Sequence, residues 1–339
     1  MAHVSVVLCT SHSPFLYTPP EQWDEARQAR AGRGAIRDDV PRDSLETSRE
    51  KYARCMAAFG VLRGKLEEAA PDVLLIFGDD QGEQFHFDNF PAFGLFLGAE
   101  YEGYKFSKSL GLPIPGVPRP ERPRTPENWA TVRSSPELAK ELMVGLVERG
   151  FDLAFSLELA DKEEGMGHAF MRPSYYLRPD YDLPTIPFFV NCYYGPQPTG
   201  RRCYELGRAV REAIEASPLD LSVGVIGSGG LWHTPGAPQA YLDEEFDRGT
   251  LAALRAGDAR AMAVHFDSRR PAVASDDREA LMRASGGTGM LSGLGSGTGE
   301  TRNWIAAAAV ADGRPGTVVD YVPVYASPCG MTFAYWDAP

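Results

Sequence analysis

Cysteine is scarce in this 339-residue chain, and the five present, Cys9, Cys55, Cys192, Cys203 and Cys329, are scattered, odd in number and never spaced as a CxxC pair. That pattern supports neither a disulfide framework nor a thiolate zinc site, and it fits a reducing cytoplasm. Long apolar runs are missing too, with none near the ~20 residues that a bilayer-spanning helix needs. The N-terminus runs directly into the strand-like Val4 to Leu8, without the basic region and cleavage site expected of a signal peptide. There is no Lys/Arg run, and 34 basic against 46 acidic residues give a formal net charge of -12. Such a balance argues against nucleic acid or an anionic membrane as partner. Histidine is also sparse, with six in the chain, so any cluster of them is informative.

What is present is the alternation of an α/β protein. Short apolar runs at Val4–Leu8, Val73–Phe77, Leu153–Leu157, Pro187–Asn191 and Val223–Ile226 read as buried strands. Between them lie amphipathic helices. One runs from about Leu45 to Ala69, with Met56, Phe59, Leu62 and Leu66 on its apolar side. Another starts with Ser135 as N-cap and Pro136 in the first turn and carries Leu138, Leu142 and Leu146. A third spans Arg201 to Ala216 with Leu206, Val210 and Ile214. The expectation is a mostly parallel central sheet covered by helices on both faces, in one domain over residues 1–339. Residues 18–42 and 102–128 read as long loops, the second a candidate substrate cover. The Gly/Ser-rich stretch from Gly286 to Gly299 reads as a flexible connection, because it has neither the preceding strand nor the lysine of a phosphate loop.

In open α/β sheets, chemistry gathers beyond the carboxyl ends of strands. Four turns stand there: Cys9-Thr10-Ser11-His12, Gly78-Asp79-Asp80-Gln81-Gly82-Glu83, Gly165-Met166-Gly167-His168 and Gly227 to His233. Taken singly, a loop histidine is more often a hydrogen-bonded structural residue. Three at strand ends point to a shared site. His3, His86 and His265 read as structural, and Glu244-Glu245-Phe246-Asp247 as a solvated helix start unless the fold carries a carboxylate to the histidines.

These motifs, in this order, resemble the class III extradiol ring-cleavage dioxygenases of the protocatechuate 4,5-dioxygenase β-subunit type. His12 matches the metal-binding histidine of the family's Thr-Ser-His turn. Gly229-Gly230-Leu231-Trp232-His233 matches the turn whose histidine acts as acid/base, with Trp in place of Ser. His168, five residues before Pro173, matches a second histidine of the site. Glu245-Phe246-Asp247 matches an element whose glutamate completes the metal set. The segments Ile186 to Asn191, Arg202 to Ala209 and Arg302-Asn303-Trp304-Ile305-Ala306 resemble the framework between the motifs. One position departs: counting without a gap from Pro71-Asp72-Val73, the family's second metal-binding histidine falls on Gln81.

The resemblance implies a metal-dependent enzyme opening a catechol-like or aminophenol-like ring with O2. His233 would be the acid/base, His168 a hydrogen-bonding partner of substrate or oxygen, and His12 and Glu245 metal ligands. Gln81 or Asp80, or else Glu83, would complete the site. Iron(II) is the metal implied, with manganese(II) or another divalent ion favoured by a more oxygen-rich set. Other readings open at this level are a site that has lost its metal, a non-oxidative metal enzyme on the same fold, and a non-catalytic partner subunit. A homo-oligomer is implied by resemblance, and Arg172 or Arg178 could meet a substrate carboxylate.

Overall fold

A computed structural model describes residues 1–31, 36–86, 89–106, 123–194, 197–233, 240–269 and 299–337. The Gly/Ser-rich stretch 286–298 and most of the suggested substrate cover, 107–122, lie outside the described residues.

The centre is an eight-stranded sheet. Its strands are β1 (His3–Thr10), β2 (Val73–Gly78), β3 (Phe93–Phe96), β6 (Ala154–Ser156), β7 (Thr185–Val190), β8 (Ser222–Ser228), β9 (Thr317–Val324) and β10 (Cys329–Trp336), ordered β6-β3-β7-β2-β8-β1-β10-β9. The middle four, β7-β2-β8-β1, run parallel. β10 and β9 add an antiparallel margin beside β1, and β3 is antiparallel to β7. All five strands expected from apolar runs form. The short β3 and the eight-residue β9 and β10 were not read from the sequence. In β9 the pattern is blurred by Asp320 and Pro323, and its residues are mostly half-buried, as befits a sheet edge.

Along β2 successive side chains alternate between two cores. Val73, Leu75 and Phe77 face one, and Leu74 and Ile76 the other. The first core is closed by α3 (Pro136–Glu148), α5 (Gly200–Ala216), α6 (Glu244–Arg255), α7 (Ala259–Arg269) and α8 (Thr301–Val310). The second is closed by α2 (Leu45–Ala69) and α4 (His168–Leu177). Burial of both strand faces explains why the sequence shows continuous apolar runs there rather than alternation.

Helix ends obey local chemistry. Ser44 accepts a hydrogen bond from Thr47 N to start α2, and α2 stops at Ala70 (φ 41°) just before Pro71. Its buried side comprises Cys55, Phe59, Leu62 and Leu66, while Met56 is half-buried at the margin. Thr199 caps α5 through Arg202 N. Ser135 stands before α3 as expected but makes no side-chain cap bond.

Residues 18–42 are not simply a loop. A 3-10 turn at Pro20–Gln22 leads into α1 (Trp23–Ala31), anchored by the buried Trp23. Its polar composition hid the helix, because one aromatic rather than an apolar stripe holds it. β4 (Glu100–Tyr104) and β5 (Trp129–Arg133) pair antiparallel as a separate ribbon. Among the described residues no helix is long and apolar enough to cross a membrane, and all five cysteines are buried with no disulfide between them.

Candidate active site

The parallel register of β1, β8 and β2 brings three strand ends level: Thr10 pairs with Ser228, and Phe77 with Gly227. The residues just beyond them therefore meet at one edge of the sheet. His12 follows β1, Asp79 follows β2, and the Gly229 to His233 turn follows β8. α4 starts at the same edge with His168 in its first turn.

Each histidine is held by one nitrogen. His12 Nδ1 lies 2.8 Å from Ser228 Oγ, and that hydroxyl donates its single proton to Ala169 O at 2.5 Å. Ser228 must then accept from His12, so Nδ1 carries the proton and Nε2 keeps its lone pair. Burial pushes the His12 pKa down to about 4, so the ring is neutral at neutral pH, as a ligand must be. His233 Nδ1 lies 3.0 Å from Leu231 O, which can only accept, so Nε2 is again the working nitrogen. His168 Nδ1 is hydrogen-bonded to Glu83 Oε1. The His12 and His168 rings meet edge-on, with centroids 4.7 Å apart.

Glu300, absent from the residues expected, is the carboxylate that joins these parts. Its Oε2 stands 3.4 Å from His12 Nε2 and accepts Gly230 N at 2.6 Å. Its Oε1 stands 3.0 Å from His233 Nε2 and accepts the Tyr193 hydroxyl. Burial works against its charge, but the nearby His233 and His12 outweigh this and hold its pKa well below the carboxylate range. The approach requires Gly229 (φ 116°), where a Cβ would fall 2.3 Å from Glu300 Oε2. The signal for Glu300 was its place just before the Arg302-Asn303-Trp304 run. Asn303 and Trp304 donate to Ser228 O and Gly229 O, fastening the start of α8 to the His233 turn.

Glu245 is not brought to the histidines. It is exposed on α6, where Phe246 and Asp247 take the inward face. Asp247 accepts Trp232 N at 2.9 Å and the Tyr321 hydroxyl at 2.8 Å, so this element supports the His233 turn from behind. Asp80 also turns away, accepting the backbone N–H groups of Gly82, Gln84 and Phe85. Gln81 is half-buried, with its amide nitrogen on Asp79 Oδ2 at 3.2 Å.

The residue of that turn aimed into the cluster is Asp79. Its Oδ1 lies 3.8 Å from His12 Nε2 and is a buried oxygen with no hydrogen-bond partner among the described residues. One donor atom from each of His12, Asp79 and His168 falls within a 4.8 Å span. Donors bound at about 2.0–2.2 Å to one ion stand roughly 3–3.5 Å apart, close to the His12–Glu300 and His12–Asp79 spacings. An orphaned buried carboxylate oxygen beside a neutral imidazole lone pair fits a divalent cation, which would give Asp79 its missing partner. Burial, followed by Glu300 and Glu83, pushes the Asp79 pKa up, a strain that a cation would relieve.

The remaining histidines lie elsewhere. His265 stacks on Phe246 and bonds Phe246 O, and His3 is exposed. Arg178 is a surface partner of Asp182. Arg172 is buried, donates to His12 O at 2.8 Å and lies over the Tyr17 ring.

Two carboxylates and three histidines thus meet at one edge of the sheet, and comparison with known proteins identifies the family. Residues 7–331 match the family described as the catalytic LigB subunit of aromatic ring-opening dioxygenase. The chain belongs to this family. It is 29% identical over 251 residues to a 2,3-dihydroxyphenylpropionate/2,3-dihydroxicinnamic acid 1,2-dioxygenase of Photorhabdus laumondii, a match covering 73% of this chain and 62% of that enzyme. A Klebsiella pneumoniae protein of the same name is 24% identical over 326 residues, covering 88% of this chain and 87% of the other. Gallate dioxygenase of Pseudomonas putida is 32% identical over 111 residues, 32% of this chain and 31% of that enzyme.

Proposed function

We propose that this protein opens the ring of a catechol-like or aminophenol-like substrate with O2, at a divalent metal held by His12, Asp79 and Glu300. The observation that carries this reading is the buried, partnerless Asp79 Oδ1 3.8 Å from His12 Nε2, with Glu300 Oε2 3.4 Å from the same nitrogen. Gln81 and Asp80, the alternatives read from the sequence, bond to Asp79 and to the local backbone instead. Family membership supports the reaction class.

The set has one imidazole and two carboxylates, so it is more oxygen-rich than a two-histidine site. Iron(II) remains the metal proposed, and such a set also suits manganese(II). Held by His12, Asp79 and Glu300, a bound metal would supply the Lewis-acid and dioxygen-activating chemistry of the site.

The protein's own part is orientation and proton handling. His233 turns Nε2 toward Glu300, with Nδ1 tied to Leu231 O, and takes or returns a substrate hydroxyl proton there. Burial lowers the His233 pKa, but Glu300 beside it outweighs this and leaves it raised above the ordinary imidazole value. His168 presents its own free nitrogen from α4 and hydrogen-bonds substrate or oxygen. The aromatic walls Tyr17, Tyr175 and Phe106 lie within ring-contact distance of one another beside Arg172 and offer an apolar approach for a planar substrate.

The proposal includes a single catalytic domain, a reducing cytoplasm, which five cysteines without a disulfide support, and a homo-oligomer. Oxygen uptake by the iron(II)-loaded protein over a panel of catechols and aminophenols tests the reading. Uptake matched by loss of the aromatic absorbance is expected. A fully loaded protein that consumes no oxygen with any of them would overturn it.

A further inference from the structure

We propose that Glu83 is a positioning residue for His168, fixing that ring with Nδ1 protonated and leaving Nε2 as the nitrogen that serves the pocket. This rests on the reading of His168 as a proton-handling group of the site.

Glu83 follows Asp79 by four residues and was one of the residues that could have held the metal. Its surroundings give it another task. The residue is 1% exposed, and both carboxylate oxygens are already engaged by protein donors. Oε2 accepts Gln81 N at 2.5 Å, while Oε1 takes His168 Nδ1 and also His168 N at 3.4 Å. Asp79, by contrast, keeps a buried oxygen with no partner.

Two backbone N–H groups can only donate, so they hold Glu83 as an acceptor. Burial pushes its pKa up, but His168 and these hydrogen bonds outweigh that and leave it lowered. An acceptor-only carboxylate facing Nδ1 obliges that nitrogen to carry the proton. The glycine before His168 makes the approach close: a Cβ on Gly167 would lie 3.3 Å from Glu83 Cδ. A side chain there would press on the carboxylate that orients the ring.

The three site histidines thus each carry a proton on Nδ1 but do not share one anchor. His12 leans on a hydroxyl, His233 on a carbonyl and His168 on a carboxylate. An anionic anchor fixes both the tautomer and the direction of an imidazole more firmly than a neutral one.

The test is nitrogen NMR on the full-length, metal-free protein labelled with 15N-histidine, with His168 assigned by loss of its signals in His168→Gln. The expected result is a protonated Nδ1 on His168 in the parent, and a mixed or reversed tautomer in Glu83→Gln. A parent His168 protonated at Nε2 alone would overturn the proposal whether or not any variant folds. So would an unchanged tautomer in Glu83→Gln.

Kinetics and binding give a second readout. Glu83→Gln should lower kcat about 10²-fold or more, as expected for a ring in the wrong tautomer, with KM and iron(II) affinity within about threefold of the parent. A collapse of iron(II) affinity would make Glu83 a ligand and end the proposal. The NMR result does not depend on ring opening, so failure of the dioxygenase reading and failure of this one are distinguishable.

Discussion

Glu300 Oε1 stands 3.0 Å from His233 Nε2, although 67 residues separate them. The same carboxylate's other oxygen stands 3.4 Å from His12 Nε2. One side chain thereby links the proposed metal position to the proposed acid/base, and the hydrogen bonds from α8 to the His233 turn keep the link in register.

The first prediction separates Glu300 from Glu245. Glu300→Gln should weaken iron(II) binding by more than the roughly 10–100-fold that loss of a supporting partner costs. Glu245→Gln, on the exposed side of α6, should leave it unchanged. Calorimetric titration of both variants under anaerobic conditions measures the difference. Equal affinities would place the carboxylate ligand elsewhere.

A second contrast lies in the turn after β2. Asp79→Asn should reduce metal affinity steeply, because it replaces the orphaned oxygen facing His12 with a neutral amide. Gln81→Ala should cost less, since the Gln81 side chain only bonds to Asp79 Oδ2. If the order were reversed, the metal set would pass through Gln81. The same titrations decide it.

His233→Ala should keep its fold and metal content while turnover falls about 10²–10⁴-fold, the range for a lost general acid/base. The substitution removes the ring but leaves the Trp232 and Glu300 contacts that fasten the turn. Normal turnover would assign the proton transfer to another group.

Asp247 predicts a pH dependence of stability. Burial raises its pKa from the ordinary 3.8 to about 8. Between those values the folded state binds a proton that the unfolded state has released, so stability falls as pH rises from about 4 to about 8 and then levels. Asp247→Asn removes this titration and can still accept from Trp232 N. Its thermal midpoint should gain on the parent's progressively across that interval. A constant difference between the two curves would show that Asp247 is ionised throughout.

Much of this was legible in the sequence, because parallel strands buried on both faces print continuous apolar runs and their ends mark the site edge. His12, His168 and His233 were found that way. Glu300 escaped notice because it belongs to no strand end and adjoins a Gly-rich stretch, and only the fold brings the start of α8 under the His233 turn. Glu245 was favoured because its neighbours fit a motif. Sequence order cannot say which of three consecutive residues on a helix turn inward, and here Phe246 and Asp247 do while Glu245 does not. In the Asp79-Asp80-Gln81 turn, a gap-free count points to Gln81, whereas the side chain nearest His12 is that of Asp79, because side-chain direction depends on backbone hydrogen bonds that Asp80 accepts locally. α1 was hidden for a simpler reason, since a single buried Trp23 leaves no periodic stripe.

The most direct test of the central claim is isotopic. The iron(II)-loaded protein should be given a catechol under 18O2, and the ring-opened product examined by mass spectrometry. The account predicts that both atoms of one dioxygen molecule enter the product, and that no product forms in His12→Ala or Glu300→Ala. A product carrying no label, or undiminished formation in those variants, would contradict it.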